Sequence, residues 1–261
     1  MIYLDHLTTT PPLTEVVDAM QPWLRGQFGA PASLHKLGLE ARDAIDAARE
    51  RLAKLVNAAE PEEIIFTSSG TEAINHAVKG ASLANRRFGS HIVTTGIEHP
   101  AVLGSVAWLE SQGFSSTRVG VDGQGRVDPD AIGRAMNDET ILVCLHHANL
   151  DLGTVQPVAE VAELTGERGI PLFVDATASG GWLPVDVQAA NVSLLSLAPH
   201  RFHGPQGVGV LYRNRRVPLT PQMHGGVQED GLRAGTENIM AFAGAGAASA
   251  LAIPDHIANL Q

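Results

Sequence analysis

The stretch that decides the fold is "TILVCLHHANLDLGTVQPVAEVAELTGERGIPLFVDAT", which runs from Thr140 to Thr177. It begins and ends with short runs of apolar and β-branched residues. Each run is apolar on both faces, as parallel strands covered by helices on each side are. Between them, residues 158–168 have the apolar spacing of a helix, and Gly169 is a residue type at which helices commonly end. A strand, a helix and a second strand in this order predict a right-handed crossover within a parallel sheet.

The same alternation of apolar runs and helical stretches continues through the rest of the chain. Residues 33–57 carry apolar side chains at every third or fourth position, and residues 72–86 and 101–112 are similar. The sequence therefore predicts an α/β fold, in which a mainly parallel seven-stranded sheet is sandwiched by helices. The strand candidates are EEIIFT, HIVTTG, STRVGV, TILVCLHH, PLFVDAT, VSLLSLA and GVGVLY. The final stretch, residues 237–261, is predicted to be a helix of small residues that breaks near Pro254.

The composition favours a globular, cytoplasmic protein. The 261 residues are 44% hydrophobic and 18% charged, which is ordinary for a folded domain. The formal net charge is -10 and Lys and Arg form no run, so the surface repels nucleic acids and anionic membranes. No apolar run reaches the roughly 18 residues that a membrane-spanning helix needs. The single cysteine, Cys144, excludes an internal disulfide and fits a reducing cytoplasm.

Several polar residues follow predicted strands, where the ligands of open parallel sheets bind. In "FTSSGTEAINHAV" a Ser/Thr/Gly turn opens a helix at Thr71, and its free N–H groups form either a phosphate cradle or an ordinary helix cap. Asp175 ends a buried strand, so its carboxylate can pair with a protonated ring nitrogen or cap a loop. Asn149 follows another strand along the same edge. The imidazole of His99, which also follows a strand, can stack on a flat ring.

A metal site and a hydrolase site are both disfavoured. Among eleven histidines the only close pairs are His146 with His147 and His200 with His203. Adjacent histidines on a strand point to opposite faces, which does not suit one ion. The chain has no G-x-S-x-G elbow, and Cys144 lies inside an apolar strand, so neither a serine nor a cysteine nucleophile is indicated.

Taken in order, nine segments resemble those of the cysteine desulfurases, fold-type-I pyridoxal-phosphate enzymes of the class V aminotransferase group. The segments are IYLDHLTTTPP, ASLHKLGLEAR, EEIIFTSSGTEA, IEHPAVL, DGQGRVDP, HANLDLGTVQP, FVDATAS, HRFHGPQGVGVLY and HGGVQEDGLRAGTEN. The resemblance implies that residues 16–240 form the large domain of these enzymes. Residues 1–15 would then be the N-terminal part of a small domain, and residues 241–261 a connecting helix. The rest of the small domain, with its persulfide-forming cysteine and its substrate-binding arginine, is expected to be missing.

The resemblance also implies roles for the polar residues. Thr71 and His200 would contact the phosphate of pyridoxal phosphate, and Thr236 would reach the phosphate bound in the neighbouring subunit. Three further residues would contact the ring: His99 by stacking, Asp175 by pairing with the nitrogen, and Asn149 near the hydroxyl.

The family's central residue is replaced. In "SLLSLAPHRFHGPQGVGVLY", Ser193 to Tyr212, the family carries His-Lys and the lysine forms the Schiff base with the cofactor. Here that position is Arg201, whose guanidinium stays charged and cannot form this bond. The chain's three lysines, Lys36, Lys54 and Lys79, fall on helical stretches. Further departures from the family pattern are Ala198 for a serine, Ala178 for a glutamine, and His6 and Leu7 in an Asn-rich turn.

Three hypotheses follow. The first is a truncated, catalytically degenerate relative that acts through interactions, as a homodimer, as a heterodimer with a full-length relative, or with a sulfur-acceptor or iron–sulfur assembly protein. The second is an active subunit that a partner chain completes. The third is a protein that binds pyridoxal phosphate, or another phosphorylated ligand, without a covalent bond. Under the first hypothesis, apolar side chains at the two ends of the chain should be partly exposed: Ile2, Leu4, Ile239, Met240 and Phe242.

Overall fold

The computed structural model describes residues 2–252, and its centre is one seven-stranded sheet. The strands are β1 Ile64–Thr67, β2 His91–Thr95, β3 Ser115–Val119, β4 Thr140–His146, β5 Leu172–Asp175, β6 Leu194–Leu197 and β7 Gly209–Arg213. Their order across the sheet is β1-β7-β6-β5-β4-β2-β3. Only β7 is antiparallel to its neighbours, so the other six strands run in one direction. The predicted mainly parallel sheet is confirmed, and each predicted run overlaps one strand.

Helices cover both faces of this sheet. They are α1 Thr14–Arg25, α2 Lys36–Leu55, α3 Gly70–Asn75, α4 Ala81–Asn85, α5 Pro100–Ser111, α6 Pro129–Ala135, α7 Val158–Glu167 and α8 Ile239–Leu251. The helix predicted over residues 72–86 contains a wider π turn, His76–Gly80, between α3 and α4. The chain packs tightly there, since a Cβ at Gly80 would lie 2.8 Å from the carbonyl oxygen of Thr220. No helix in the described residues is long and apolar enough to cross a membrane.

Strand β4 shows that both faces of the sheet are buried. Its side chains alternate: Val143 and Leu145 join one hydrophobic cluster, which includes residues of α2, α7 and α8. Leu142 and Cys144 join a second cluster on the other face, with residues of α3 and α5. This explains why the strand reads as a continuous apolar run rather than as an alternating one.

Helix α8 packs closely against two other helices. α8 lies against α1 and α2, and its small residues allow the approach: a Cβ at Gly246 would come within 2.6 Å of Cα of Ala48. Phe242 is only 3% exposed, and its ring stacks on Phe66 with centroids 4.1 Å apart. The expectation that Phe242 is exposed is therefore wrong.

The other apolar residues at the chain ends differ from Phe242. Ile2 and Leu4 are 87% and 86% exposed, as expected, and Ile239 and Met240 are half-buried. The predicted break near Pro254 lies outside the described residues.

Candidate cofactor site

Six of the seven candidate residues follow, or end, strands that run in the same direction. Their segments therefore meet at the carboxyl edge of the sheet, where ligands of α/β proteins bind. Thr71 follows β1, His99 follows β2, Asn149 follows β4, Asp175 ends β5, and His200 and Arg201 follow β6.

The turn Ser68–Thr71 joins β1 to α3. The Ser69 side chain caps the helix, since its Oγ accepts the N–H of Glu72 at 3.1 Å. The N–H groups of Gly70 and Thr71 have no intrahelical acceptor at this position and remain for a ligand. Gly70 allows a close approach, because a Cβ there would lie 2.9 Å from Cγ2 of Thr177 and 3.2 Å from Cβ of Ala198. The Thr71 side chain is exposed.

Asp175 is buried at the end of β5. Its Oδ1 accepts hydrogen bonds from Oγ of Ser196 at 2.8 Å and from the N–H of Thr177 at 2.9 Å. Both donors meet the same oxygen, so Oδ2 is the atom left for a ligand N–H. Ser196, on the neighbouring strand, is a residue of the candidate site that sequence reasoning missed. Its position within the apolar run "SLLSLA" could have indicated it, because a buried hydroxyl group on a central strand needs a hydrogen-bond partner.

His99 and Asn149 are both held by the backbone around them. Nδ1 of His99 accepts the N–H of Ala101 at 3.0 Å, so a neutral ring carries its proton on Nε2. Nδ2 of Asn149 donates to the carbonyl of Ile97 at 3.2 Å, two residues before His99. Oδ1 of Asn149 accepts two N–H groups of its own loop, at 2.9 and 3.0 Å. These contacts link the segments that follow β2 and β4.

The loop with Arg201 is fixed by its backbone. Nε1 of Trp182 donates to the carbonyl of Arg201 at 2.7 Å, and the N–H of Arg201 donates to Ala198 at 3.0 Å. Partial burial lowers the pKa of the guanidinium, and the negative charge of Asp175 opposes this shift. Nε and Nη1 of Arg201 are buried, and neither has a hydrogen-bond partner among the described residues.

His200 is tied to the N-terminal segment. Its Nδ1 lies 3.1 Å from Oγ1 of Thr9, and its carbonyl accepts the N–H of Thr10 at 2.8 Å. Burial, and then the positive charge of Arg201, lower the pKa of His200. Neutral His200 can therefore donate or accept one hydrogen bond without adding charge to the site.

Thr236 is the seventh candidate residue. It is exposed on the segment before α8, and within the described part of the chain no hydrogen bond joins it to the other six residues.

A buried polar network that the sequence did not reveal is centred on Glu98, the residue before His99. Oε1 of Glu98 accepts from Oγ1 of Thr95 at 2.7 Å and from Nδ1 of His146 at 2.9 Å. Nε2 of Gln156 donates to the carbonyl of Gly125 and lies 3.2 Å from Nε2 of His146, so the His146 proton is on Nδ1. Burial, opposed by these hydrogen bonds, raises the pKa of Glu98. The signal for this network was the polar pair in "IEHP", but the local sequence pattern does not predict that Glu98 is buried.

The metal and thiol alternatives gain no support. Within residues 2–252 no group of three His, Cys, Asp or Glu side chains is placed to hold an ion. Cys144 is fully buried in β4, and this burial, with the nearby Glu98 charge, raises the pKa of the thiol well above its ordinary value. A thiolate at this position is therefore strongly disfavoured.

The family model of the class V aminotransferases matches residues 2–257. The chain belongs to this family. The cysteine desulfurase IscS of Methanosarcina thermophila is 45% identical over 96% of the chain, and that of Dictyoglomus turgidum is 45% identical over 97%. A solved NifS-like protein superposes on 99% of the chain with a TM-score of 0.95 and 35% identity. This chain spans 62% and 64% of the length of these two desulfurases and 71% of the length of the solved NifS-like protein.

The class V family depends on pyridoxal phosphate, and the site residues of this member fit that cofactor only in part. The turn before α3 can receive a phosphate, and the free Oδ2 of Asp175 can receive a ring N–H. Covalent attachment does not fit, because Arg201 offers no amine that loses its proton. Lys36 and Lys54 lie on α2, and Nζ of Lys79 lies 4.8 Å from the centre of the Trp108 ring.

Proposed function

We propose that this chain is a cysteine-desulfurase-like protein that has lost covalent cofactor chemistry and acts by associating with other proteins. The observation that carries the proposal is Arg201 in the loop after β6. A Schiff base needs a neutral amine, which lysine provides when burial lowers its pKa. The delocalised charge of a guanidinium prevents this at any physiological pH.

The surroundings of Arg201 argue against a substitute lysine. The loop backbone is anchored on both sides of residue 201, by Trp182 and by Ala198, so the chain cannot easily present another residue at this point. For the same reason, an active subunit completed by a partner chain is the weaker alternative. A partner would have to insert a lysine into space that the Arg201 side chain already occupies.

A non-covalent ligand site is the second candidate function. It is favoured by Arg201, which lies at the same edge of the sheet as the Ser68–Thr71 turn and keeps its positive charge. That charge can attract a phosphate or a carboxylate. With the Ser68–Thr71 turn, this suits pyridoxal phosphate or another phosphorylated ligand, held without a covalent bond.

The association would be with a second copy, a full-length relative, or a sulfur-acceptor protein of iron–sulfur assembly, in the cytoplasm. The division into a large domain over residues 16–240, flanked by segments 1–15 and 241–261, belongs to this proposal. Affinity purification of tagged protein from its own cells tests the association. Recovery of the chain alone and as a monomer, under conditions that retain known complexes, would contradict it.

The test of the lost chemistry is borohydride reduction in the presence of pyridoxal phosphate, followed by mass spectrometry of the peptides. The unaltered protein should carry no cofactor at any specific lysine. The Arg201→Lys variant should carry it at residue 201, and adding Asp175→Ala should weaken this attachment, because the ring nitrogen loses its partner. Stoichiometric attachment to one lysine of the unaltered protein would overturn the proposal.

A further inference from the structure

The side chain of Glu72 joins two segments that are far apart in the sequence. Its Oε2 accepts the N–H and the Oγ of Ser68, at 2.7 and 2.5 Å, and so holds the Ser68–Thr71 turn from one side. From the other side, Nε of Arg233 donates to Oε1 at 2.9 Å and Nη2 donates to Oε2 at 3.4 Å. Arg233 lies three residues before Thr236. The ion pair therefore connects the turn to the segment that carries Thr236.

The charge on Glu72 matters because of where the carboxylate lies. Burial would raise its pKa, but hydrogen bonds from Arg233 and Ser68 and the charge of Arg233 hold the pKa below its ordinary value. Glu72 is therefore ionised at neutral pH, within hydrogen-bond distance of the turn. An unpaired carboxylate there would repel a phosphate from the adjacent N–H groups, and only Arg233 forms an ion pair with it in the described structure.

We propose that Arg233 is a positioning residue for an anion bound at the Ser68–Thr71 turn: it neutralises Glu72 and keeps its carboxylate turned toward Ser68. This inference rests on the non-covalent site proposed above. It also couples that site to the segment with Thr236, so that occupancy of the turn and the placement of Thr236 depend on the same ion pair.

A second ion pair holds the same segment, so the effect of Arg233 on anion binding can be tested without detaching the segment. Glu229, four residues earlier, is bound by Arg49 at 2.8 Å with both side chains largely buried. Its Oε2 also accepts the N–H of Phe66 at 2.8 Å. The segment thus stays attached to the domain when Arg233 alone is changed.

The experiment measures the affinity for inorganic phosphate, and separately for pyridoxal phosphate, by titration calorimetry in low salt. Arg233→Met should weaken binding of both about tenfold, because it leaves a carboxylate unpaired beside the site. Glu72→Gln should bind about as well as the unaltered protein. The double variant Glu72→Gln/Arg233→Met should recover most of the loss, which a purely structural role of Arg233 would not allow.

Arg118→Met is the matched control, since Arg118 pairs with Glu110 at 3.2 Å on the surface. It should leave both affinities unchanged, and thermal unfolding should show that every variant folds. If the unaltered protein binds neither compound, the anion site is refuted and this inference falls with it. If it binds and Arg233→Met binds equally well, only the coupling is refuted. A double variant as weak as Arg233→Met would overturn the electrostatic role.

Discussion

At position 201 the chain carries a guanidinium where the resemblance to the cysteine desulfurases implies an amine, and the charge of Asp175 acts on that guanidinium. A protonated lysine and an arginine carry the same charge, and the backbone of residue 201 is held by Trp182 and Ala198. What differs is that lysine can release its proton when buried, whereas arginine cannot. One side chain thus decides whether a covalent bond to the cofactor can form at this position.

His76 is a second residue whose protonation state the fold sets. It is 2% exposed, and burial lowers its pKa to about 4, with the charge of Glu72 opposing the shift. The unfolded chain takes up this proton near pH 6.5, whereas the folded protein takes it up only near pH 4. The unfolded state therefore binds more protons between these values, and the free energy of unfolding should fall by up to about 3 kcal/mol as the pH is lowered through this range.

The measurement is urea unfolding at several pH values between 6.5 and 4. Other groups contribute to the slope in every variant, so the informative quantity is the difference between proteins. His76→Leu should show a shallower loss of stability than the unaltered protein. Equal slopes for His76→Leu and the unaltered protein would contradict a neutral, buried His76.

At the scale of elements, the edge strand β1 shows how side chains protect a sheet. The carbonyl of Ile64 accepts from Nη1 of Arg49, and the N–H of Phe66 donates to Glu229. The ion pair thus occupies backbone groups that would otherwise be open to another strand. Glu229 and Asp230 both have positive φ angles, 48° and 55°, which non-glycine residues adopt only when their surroundings hold them.

Breaking this pair should cost much more than breaking an exposed one. Glu229→Ala leaves a largely buried guanidinium and the N–H of Phe66 unpaired, so the free energy of unfolding should fall by about 3 kcal/mol or more. Glu110→Ala removes an exposed partner of Arg118 and should cost at most about 1 kcal/mol. Denaturant unfolding measures both. Similar costs for the two variants would contradict the edge-protecting role.

These elements also show how far the sequence could predict the structure. The strands were predicted because a central parallel strand, such as β4, is a continuous apolar run. His99 and Asp175 became candidates because they follow or end such runs, whereas Arg201 became one through the resemblance to the cysteine desulfurases. The Arg49–Glu229 and Glu72–Arg233 pairs were not, since 180 and 161 residues separate the partners and no local pattern records such contacts. The π turn at His76–Gly80 was not predicted either. It contacts Thr220, which is also distant in the sequence.

At the scale of the whole molecule, exposed apolar side chains concentrate near the N-terminus. Ten of the sixteen large, exposed hydrophobic side chains in residues 2–252 lie before residue 40. They are Ile2, Tyr3, Leu4, Leu7, Leu13, Val17, Leu24, Phe28, Leu34 and Leu39. Contiguous apolar patches are typical of interfaces, so we expect this part of the chain to contribute to one.

We therefore expect the chain to form dimers at micromolar concentration. Two copies that each carry a net charge of -10 repel one another, so apolar contact has to overcome this repulsion. Added salt screens the repulsion and should strengthen the association, which is the opposite of its effect on an interface held by ion pairs. Sedimentation velocity at low and moderate salt measures both the dimer and the sign of the salt dependence.

Two variants locate the interface within the chain. Phe28 is 79% exposed and Phe88 is 63% exposed, so either can be changed to Asp without opening the core. Phe28→Asp should shift the equilibrium toward monomer, because it places a charge in the apolar N-terminal region and adds to the repulsion. Phe88→Asp adds the same charge far along the chain and should change the dimer fraction less. A stable monomer of the unaltered protein at both salt concentrations, or equal effects of the two variants, would show that the N-terminal region is not the contact surface.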